Sequence, residues 1–502
     1  MKKILFTQKI FVPIILLIFA ALLRFQTFGN PLLDLDEEFY LFVGGQLLEG
    51  QLPFVDIWDR KPFGLFAIYA FFHLFGPWRI FAYQIGALLC LWGTALCVRA
   101  MALTIASAEG AFAAALIYEI WPNLAHGEGG QAPIFYNLLV AIAMLLIVRR
   151  LPNLQQNPQE CQKTGCLVML LFGLSMQIKY TTVFEGIFAG IYLIWCLWKS
   201  GYSINKILLS ASAWVLCAII PTVSVFIFYF MDGYGHEWWF ANIESIFHRT
   251  SPSPKELKHN ILKMLIVLYP LLLGWIASLL LQRNIKKEQK PYFYFLNAWA
   301  VSAIVGVALF GTWFKHYALP IFVPVSIQIA PLFYNKIGRL FAIFLTILGT
   351  IWGQKILWKE GKYYKNQRIF NEIKNAISSS PPGCIFIYEG PVIIYDSLPY
   401  CRLTNHPFPA HFHSKIENNA TGMDTQIEIE KILAQKPKYI ITQEPQIDDE
   451  NIAVRNMIYK NIYENYSKLH NVDLIYSSIA IYIRNNSSEQ PSKSPSGKDH
   501  AG

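Results

Sequence analysis

Charge is what the 502-residue sequence has least of. Only 15% of its residues are Asp, Glu, Lys or Arg, against about 25% in soluble globular chains. A hydrophobic content of 54% and a mean hydropathy of +0.34 exclude a disordered chain. Cysteine is scarce too. The eight cysteines are scattered, with no CxxC pair and no Cys/His spacing of a zinc site, which excludes a small disulfide scaffold and a zinc-built module. No internal repeat is apparent. What the sequence does have is apolar and aromatic residues, with 36 Phe, 26 Tyr and 14 Trp. This is the composition of a polytopic membrane protein. The net charge of +9 fits that class, because the Lys and Arg residues cluster between apolar runs, where membrane proteins carry topology signals. Nucleic acid is not expected as a partner.

A bilayer-crossing helix needs about 20 mostly apolar residues. Eleven candidate spans meet that pattern: 9–28, 78–98, 102–121, 133–148, 165–178, 180–198, 205–231, 260–281, 293–311, 316–334 and 338–357. The first lacks a small-x-small cleavage site and reads as an uncleaved span rather than a signal peptide. Lys2 with Lys3, Arg99, Arg149 with Arg150, Lys199 with Lys206, Arg283 through Lys290, and Lys336 with Arg339 fall in every second loop. Placing those loops in the cytoplasm predicts a cytoplasmic N-terminus and an extracytoplasmic C-terminal segment. The odd number of spans predicts the same arrangement.

The division expected is a transmembrane module over 1–357, an extracytoplasmic α/β domain over 358–484 and a disordered tail over 485–502. The first outer loop, 29–77, is long and charged, and its apolar part from Pro62 to Phe75 reads as an interfacial helix. In the C-terminal domain, β-rich runs are expected at Cys384–Tyr388, Val392–Tyr395, Tyr439–Thr442 and Leu474–Ile483. Cys384 opens the first run, and Cys401 is read as opening the next strand. They are either two buried, reduced thiols, which the sequence slightly favours, or a disulfide.

The first outer loop holds the residues best suited to chemistry. Asp36, Glu37 and Glu38 follow the first span, Tyr40 shares a helical face with Asp36, and Asp59-Arg60-Lys61-Pro62 closes the stretch. A solvated acidic loop with ordinary surface pairs is the plain reading. The alternative is a catalytic carboxylate beside cations that hold an anionic group.

The order Asp-Glu-x-x-Tyr, Leu-Leu-x-Gly-x-x-Pro and Asp-x-Lys-Pro is carried by Asp36-Glu37 with Tyr40, Leu47-Leu48-Glu49-Gly50 with Pro53, and Asp59-Arg60-Lys61-Pro62. It resembles the first extracytoplasmic loop of family 39/83-type glycosyltransferases. These are GT-C superfamily enzymes related to protein O-mannosyltransferases and to the lipid A aminoarabinose transferase. Lys179 in Met176-Gln-Ile-Lys-Tyr180, and Phe314-Lys-His-Tyr317, resemble two later features of that family. One departure is the Asn-x-Glu motif of many relatives. Here Glu128, Gln131 and Asn137 are the candidates for its role.

The resemblance implies a GT-C-type α-helical membrane protein of about eleven spans with a small extracytoplasmic α/β domain, in the bacterial inner membrane. It implies an inverting hexosyl- or pentosyltransferase that uses a polyisoprenyl-phosphate sugar. The acceptor would be a hydroxyl of lipid A or lipopolysaccharide, another glycan or a protein. Asp36 would be the base, assisted by Glu37. Arg24, Tyr40, Asp59, Lys61, Glu128, Lys179, His316 and Tyr317 would bind substrate. No cofactor and no metal site are expected, although the loop has enough carboxylates for a divalent ion. Two other classes are a transporter or flippase for lipid-linked sugars and a non-catalytic scaffold. Transporters usually show repeat-related halves and broken helices near the midplane.

Overall fold

In lipid, a chain can satisfy its backbone groups only within helices or a closed barrel, and the long apolar runs before residue 360 become helices. The computed structural model describes residues 2–281, 285–359, 362–417, 420–446, 450–474 and 477–485. The expected tail beyond 485 lies outside the described residues. The chain divides into two compact units, Met1–Phe370 and Asn371–Gly502.

The first unit starts with α1 (Lys2–Arg24), α2 (Leu35–Leu48) and α3 (Phe63–His73). It continues with α4 (Arg79–Ala102), α5 (Ala108–Ile120), α6 (Ala132–Leu154), α7 (Pro158–Met176), α8 (Val183–Lys199) and α9 (Ile204–Met231). The short α10 (Gly235–Trp239) is followed by α11 (Pro254–Leu280), α12 (Lys290–Phe310), α13 (Leu319–Ile329), α14 (Lys336–Lys359) and the start of α15 (Lys362–Ser378). Among the described residues, nine helical stretches are long and apolar enough to cross a membrane.

The other two expected spans fold as α5 and α7. At 13 residues α5 rises only about 20 Å; the 3-10 turn Trp121–Leu124 extends it. Its start is set by Ser107, whose side chain accepts from Gly110 N, so α4 and α5 are separated at 103–107, a few residues beyond the break the sequence placed between spans 78–98 and 102–121. The first turn of α7 is polar, opening on Pro158-Gln-Glu.

Contacts show that both helices carry the chain back across the bundle. At one end, here the loop end, Gln84 of α4 donates to Asn30 O, Arg24 of α1 donates to Gly127 O, and Gln354 of α14 donates to Leu23 O. At the opposite end, Arg339 pairs with Glu109, Arg150 pairs with Glu160, and Tyr334 donates to Ile105 O. Thus α5 runs from Glu109 at the opposite end to Trp121, and α7 from Glu160 to Gln177 at the loop end. The eleven helices alternate, and α14 finishes at the loop end.

The loop after α1 is itself structured. Asp34 caps α2, accepting from Asp36 N at 2.9 Å, and three acids in the first turn suit the positive end of the helix dipole. Helix α3 lies against α2 at Gly44, where a Cβ would stand 2.5 Å from Ala70 N. Only glycine permits that approach. The stretch between the two helices is pinned by Tyr229 of α9, whose hydroxyl donates to Pro53 O at 3.0 Å.

In the second unit, β1 (Ile385–Ile387), β2 (Tyr439–Glu444), β3 (Tyr466–Asp473) and β4 (Ser478–Arg484) form a sheet of order β1-β2-β4-β3. The β1–β2 pair is parallel and the rest antiparallel. The helices α16 (Ile393–Ser397), α17 (Ala410–His413), α18 (Thr425–Ala434) and α19 (Ile452–Asn465) accompany it. Phe386, Ile432, Ile440, Val454, Ile458 and Tyr482 belong to its core.

One reading of this unit is corrected, and one strand was not foreseen. The run at Val392–Tyr395 folds instead into the cap and start of α16 (Ile393–Ser397), since an all-buried run carries no strand period. Tyr466–Asp473 is a strand although six of its eight positions are not buried, as befits a polar edge.

Cys384 and Cys401 are joined by a disulfide, with Cα atoms 5.3 Å apart. This corrects the slight preference for free thiols. Cys401 lies in no strand, so α16 and the extended return, rather than a neighbouring strand, bring it to the start of β1. A bond closing so short a loop contributes about 3 kcal/mol in the loop-entropy model. In unreduced, denatured protein neither cysteine should take up a thiol label, and reduction should lower the unfolding temperature of this unit. Labelling of both would contradict the bridge.

Candidate functional site

Four separate segments place charged side chains together at the loop end. Helix α2 presents Asp36 from its first turn. The turn before α3 presents Lys61, whose Nζ lies 3.7 Å from Asp36 Oδ1. Lys61 is fixed from behind, since Asp59, only 3% exposed, accepts from the backbone N of Arg60 at 2.5 Å and of Lys61 at 3.0 Å. The connection between α7 and α8 supplies Lys179, and the turn before α13 supplies Lys315, His316 and Tyr317. Lys179 Nζ stands 4.4 Å from the centre of the Tyr317 ring, and Lys61 Nζ 5.1 Å from that of Tyr40.

Side chains of Asp36 and Lys61 keep 26% and 23% exposure, so the pair is reachable from solvent. Burial would raise the Asp36 carboxyl, but the Lys61 and Lys179 ammonium groups hold it below its ordinary value. Burial pulls Lys61 down, and Asp36 and Asp59 more than reverse it. Lys179 stays below its ordinary value, through burial first.

The acids behind Asp36 behave differently. Burial, then Asp36 and Glu128, push Asp34 up to about 7. Burial and Asp34 push Glu37 well above the carboxylate range. Of these three acids Asp36 is the one that stays ionised most readily. Glu37 is a packed group: only 1% exposed, it lies where a Cβ on Gly129 would overlap its carboxylate. Gly129→Ala should displace it and cost about 1–3 kcal/mol, read as a lower unfolding temperature in detergent. An unchanged temperature would remove Glu37 from that place.

The remaining candidates divide. Gln131 donates to Asp34 Oδ1 at 2.8 Å, and Glu128 is 5% exposed and interacts electrostatically with Asp34. These two adjoin the acidic group, whereas Asn137 turns to Leu319 O at 3.2 Å. Arg24 is 1% exposed, and its charged neighbours are Glu128, Glu37 and Glu119. It supports the acidic layer and does not join the Lys61–Lys179 group. Arg249 is the cation that sequence reasoning passed over. It lies 5.8 Å from the Phe314 ring and hydrogen-bonds Tyr317. Its signal was a His-Arg pair in the second sizeable loop of that end.

Two spaces flank this group. A narrow crevice runs from Lys179 and Tyr317 along Phe184 of α8 and Gly306, Val307 and Phe310 of α12. A half-open cavity of about 370 Å³ lies against His316 and Lys315, with Lys263 and Trp352 also in its lining.

No family model and no curated protein sequence matches the chain. Among solved structures, the chain is similar to ArnT from Cupriavidus metallidurans bound to undecaprenyl phosphate, with 11% identity and a TM-score of 0.63. That match covers 95% of this chain and 98% of that one. The apo state of ArnT from the same organism matches at a TM-score of 0.58 and 11% identity, over 93% and 97% of the two chains. At such identity the likeness shows the fold alone, that of a polytopic α-helical membrane protein with a small C-terminal unit.

Proposed function

We propose that this multi-pass membrane protein is an inverting glycosyltransferase that moves a sugar from a polyisoprenyl-phosphate donor to an acceptor hydroxyl. The observation that carries the reading is the ionised Asp36 carboxylate facing Lys61, with Lys179 and His316 around it. Inverting transfer requires a base for the hydroxyl proton and cations for the departing phosphate, side by side. In the reaction the acceptor O–H proton passes to Asp36 as its oxygen bonds the anomeric carbon. The bond from that carbon to the phosphate oxygen breaks, and its electron pair leaves with the polyisoprenyl phosphate. Lys61 and Lys179 neutralise the charge that grows there, with Tyr317 beneath Lys179.

The crevice between α8 and α12 has Lys179 at its mouth and mainly apolar walls, into which Glu185, Tyr136 and Thr181 also project, and its cationic mouth suits a phosphate on an isoprenoid tail. The similar ArnT structure contains undecaprenyl phosphate, a lipid of this kind. The cavity beside His316 is the corresponding place for the acceptor. In this reading the loop end faces outward from a bacterial inner membrane, because the Arg and Lys clusters sit at the opposite end. Purified protein given a synthetic polyprenyl-phosphate sugar together with lipid A as hydroxyl acceptor should release polyprenyl phosphate and form a glycoside inverted at the anomeric carbon. Retention of configuration would exclude single-step attack assisted by Asp36.

A further inference from the structure

The cleft at the carboxyl end of β2 belongs to the second unit, and its case does not depend on the transferase reading. In open sheets with parallel strands, ligands sit outside the carboxyl ends of those strands. Here β1 and β2 are parallel, and β4 pairs antiparallel with Glu444 opposite Ser478, so the start of β4 reaches the same edge. A cleft of about 840 Å³ opens there, within the size of small-ligand sites.

Its walls are polar groups held in fixed orientations. Glu444 accepts from the Tyr482 hydroxyl at 2.9 Å and the Tyr459 hydroxyl at 3.3 Å, and from Lys468 at 3.5 Å. Arg455 is paired with Glu450 at 2.8 Å, and its guanidinium lies 4.5 Å from the centre of the Tyr459 ring. Beyond them Tyr463 is 78% exposed, its ring 6.1 Å from that of Tyr459. Asn456 and Gln446 complete the lining.

Both charges in the walls already have opposite partners, so the cleft offers no surplus charge to a nucleotide or phosphate. What remains open is amide and carboxylate edges, able to donate and accept several hydrogen bonds, beside an exposed aromatic face. That combination matches a ring that carries hydroxyls on its rim and C–H bonds on its face. We propose that this cleft binds a neutral carbohydrate, a sugar residue stacking on Tyr463 while its hydroxyls meet Glu444, Asn456 and Gln446.

Saturation-transfer NMR on the full-length protein in detergent, with maltotriose, mannotriose and triacetylchitotriose as probes, tests this. At least one trisaccharide should bind saturably. Tyr463→Ala and Asn456→Ala should each weaken it about tenfold, with the unfolding temperature unchanged because both side chains are exposed. Absence of saturable binding by all three sugars would overturn the proposal. So would binding that survives both substitutions, or saturable binding of ADP or inorganic phosphate lost in Asn456→Ala.

Discussion

Asp36→Asn should leave a protein that inserts, folds and retains the lipid-linked donor while transfer falls by about 10²–10⁴, the range for removing a positioned general base. The substitution keeps the size of the side chain and removes only the charge. Capping of α2 rests on Asp34, not Asp36, so the helix should persist. The neighbouring acids are poor substitutes: burial pushes Asp34 up to about 7 and Glu37 well above the carboxylate range. Turnover assayed with purified protein decides the matter, and near-wild-type turnover in the Asn variant would contradict the role of Asp36.

Lys179→Ala and Lys61→Ala should each weaken use of the phosphate-linked donor by about 10- to 150-fold. That follows from about 1.5–3 kcal/mol for a charge-assisted contact. The two should differ in one respect. Lys61 is the cation nearest Asp36, so its loss should also raise the Asp36 carboxyl and move the acid limb of the rate profile to higher pH. Lys179 acts on Asp36 less than Lys61 does, so its variant should lose donor affinity with a smaller shift of that limb. Donor affinity and turnover unchanged in both would make these lysines structural.

Much of this arrangement could be read before any coordinates. Apolar run length gave all eleven helices, and the alternation of basic clusters ordered the two ends, because both signals are one-dimensional. The motif around Asp36 and Lys61 was legible because its residues lie within one loop. Lys179 and His316 were found through resemblance, since a contact across more than a hundred residues leaves no mark in spacing. Arg24 was placed with the phosphate-binding cations because a cation beside a span end looks alike whether it faces lipid or Glu128. The C-terminal unit was read least well. Its edge strand is polar, and its buried Val392–Tyr395 run carries neither helical nor strand periodicity.

The most direct test uses protein reconstituted in vesicles with a radiolabelled polyprenyl-phosphate sugar and lipid A as acceptor, following the label and the polyprenyl lipid separately. The account predicts that the glycosidic bond to phosphate breaks, with label leaving the lipid in wild type and staying on it in Asp36→Asn. Movement of the intact lipid-linked sugar between leaflets with no bond broken, in wild type and variant alike, would contradict it and favour a flippase.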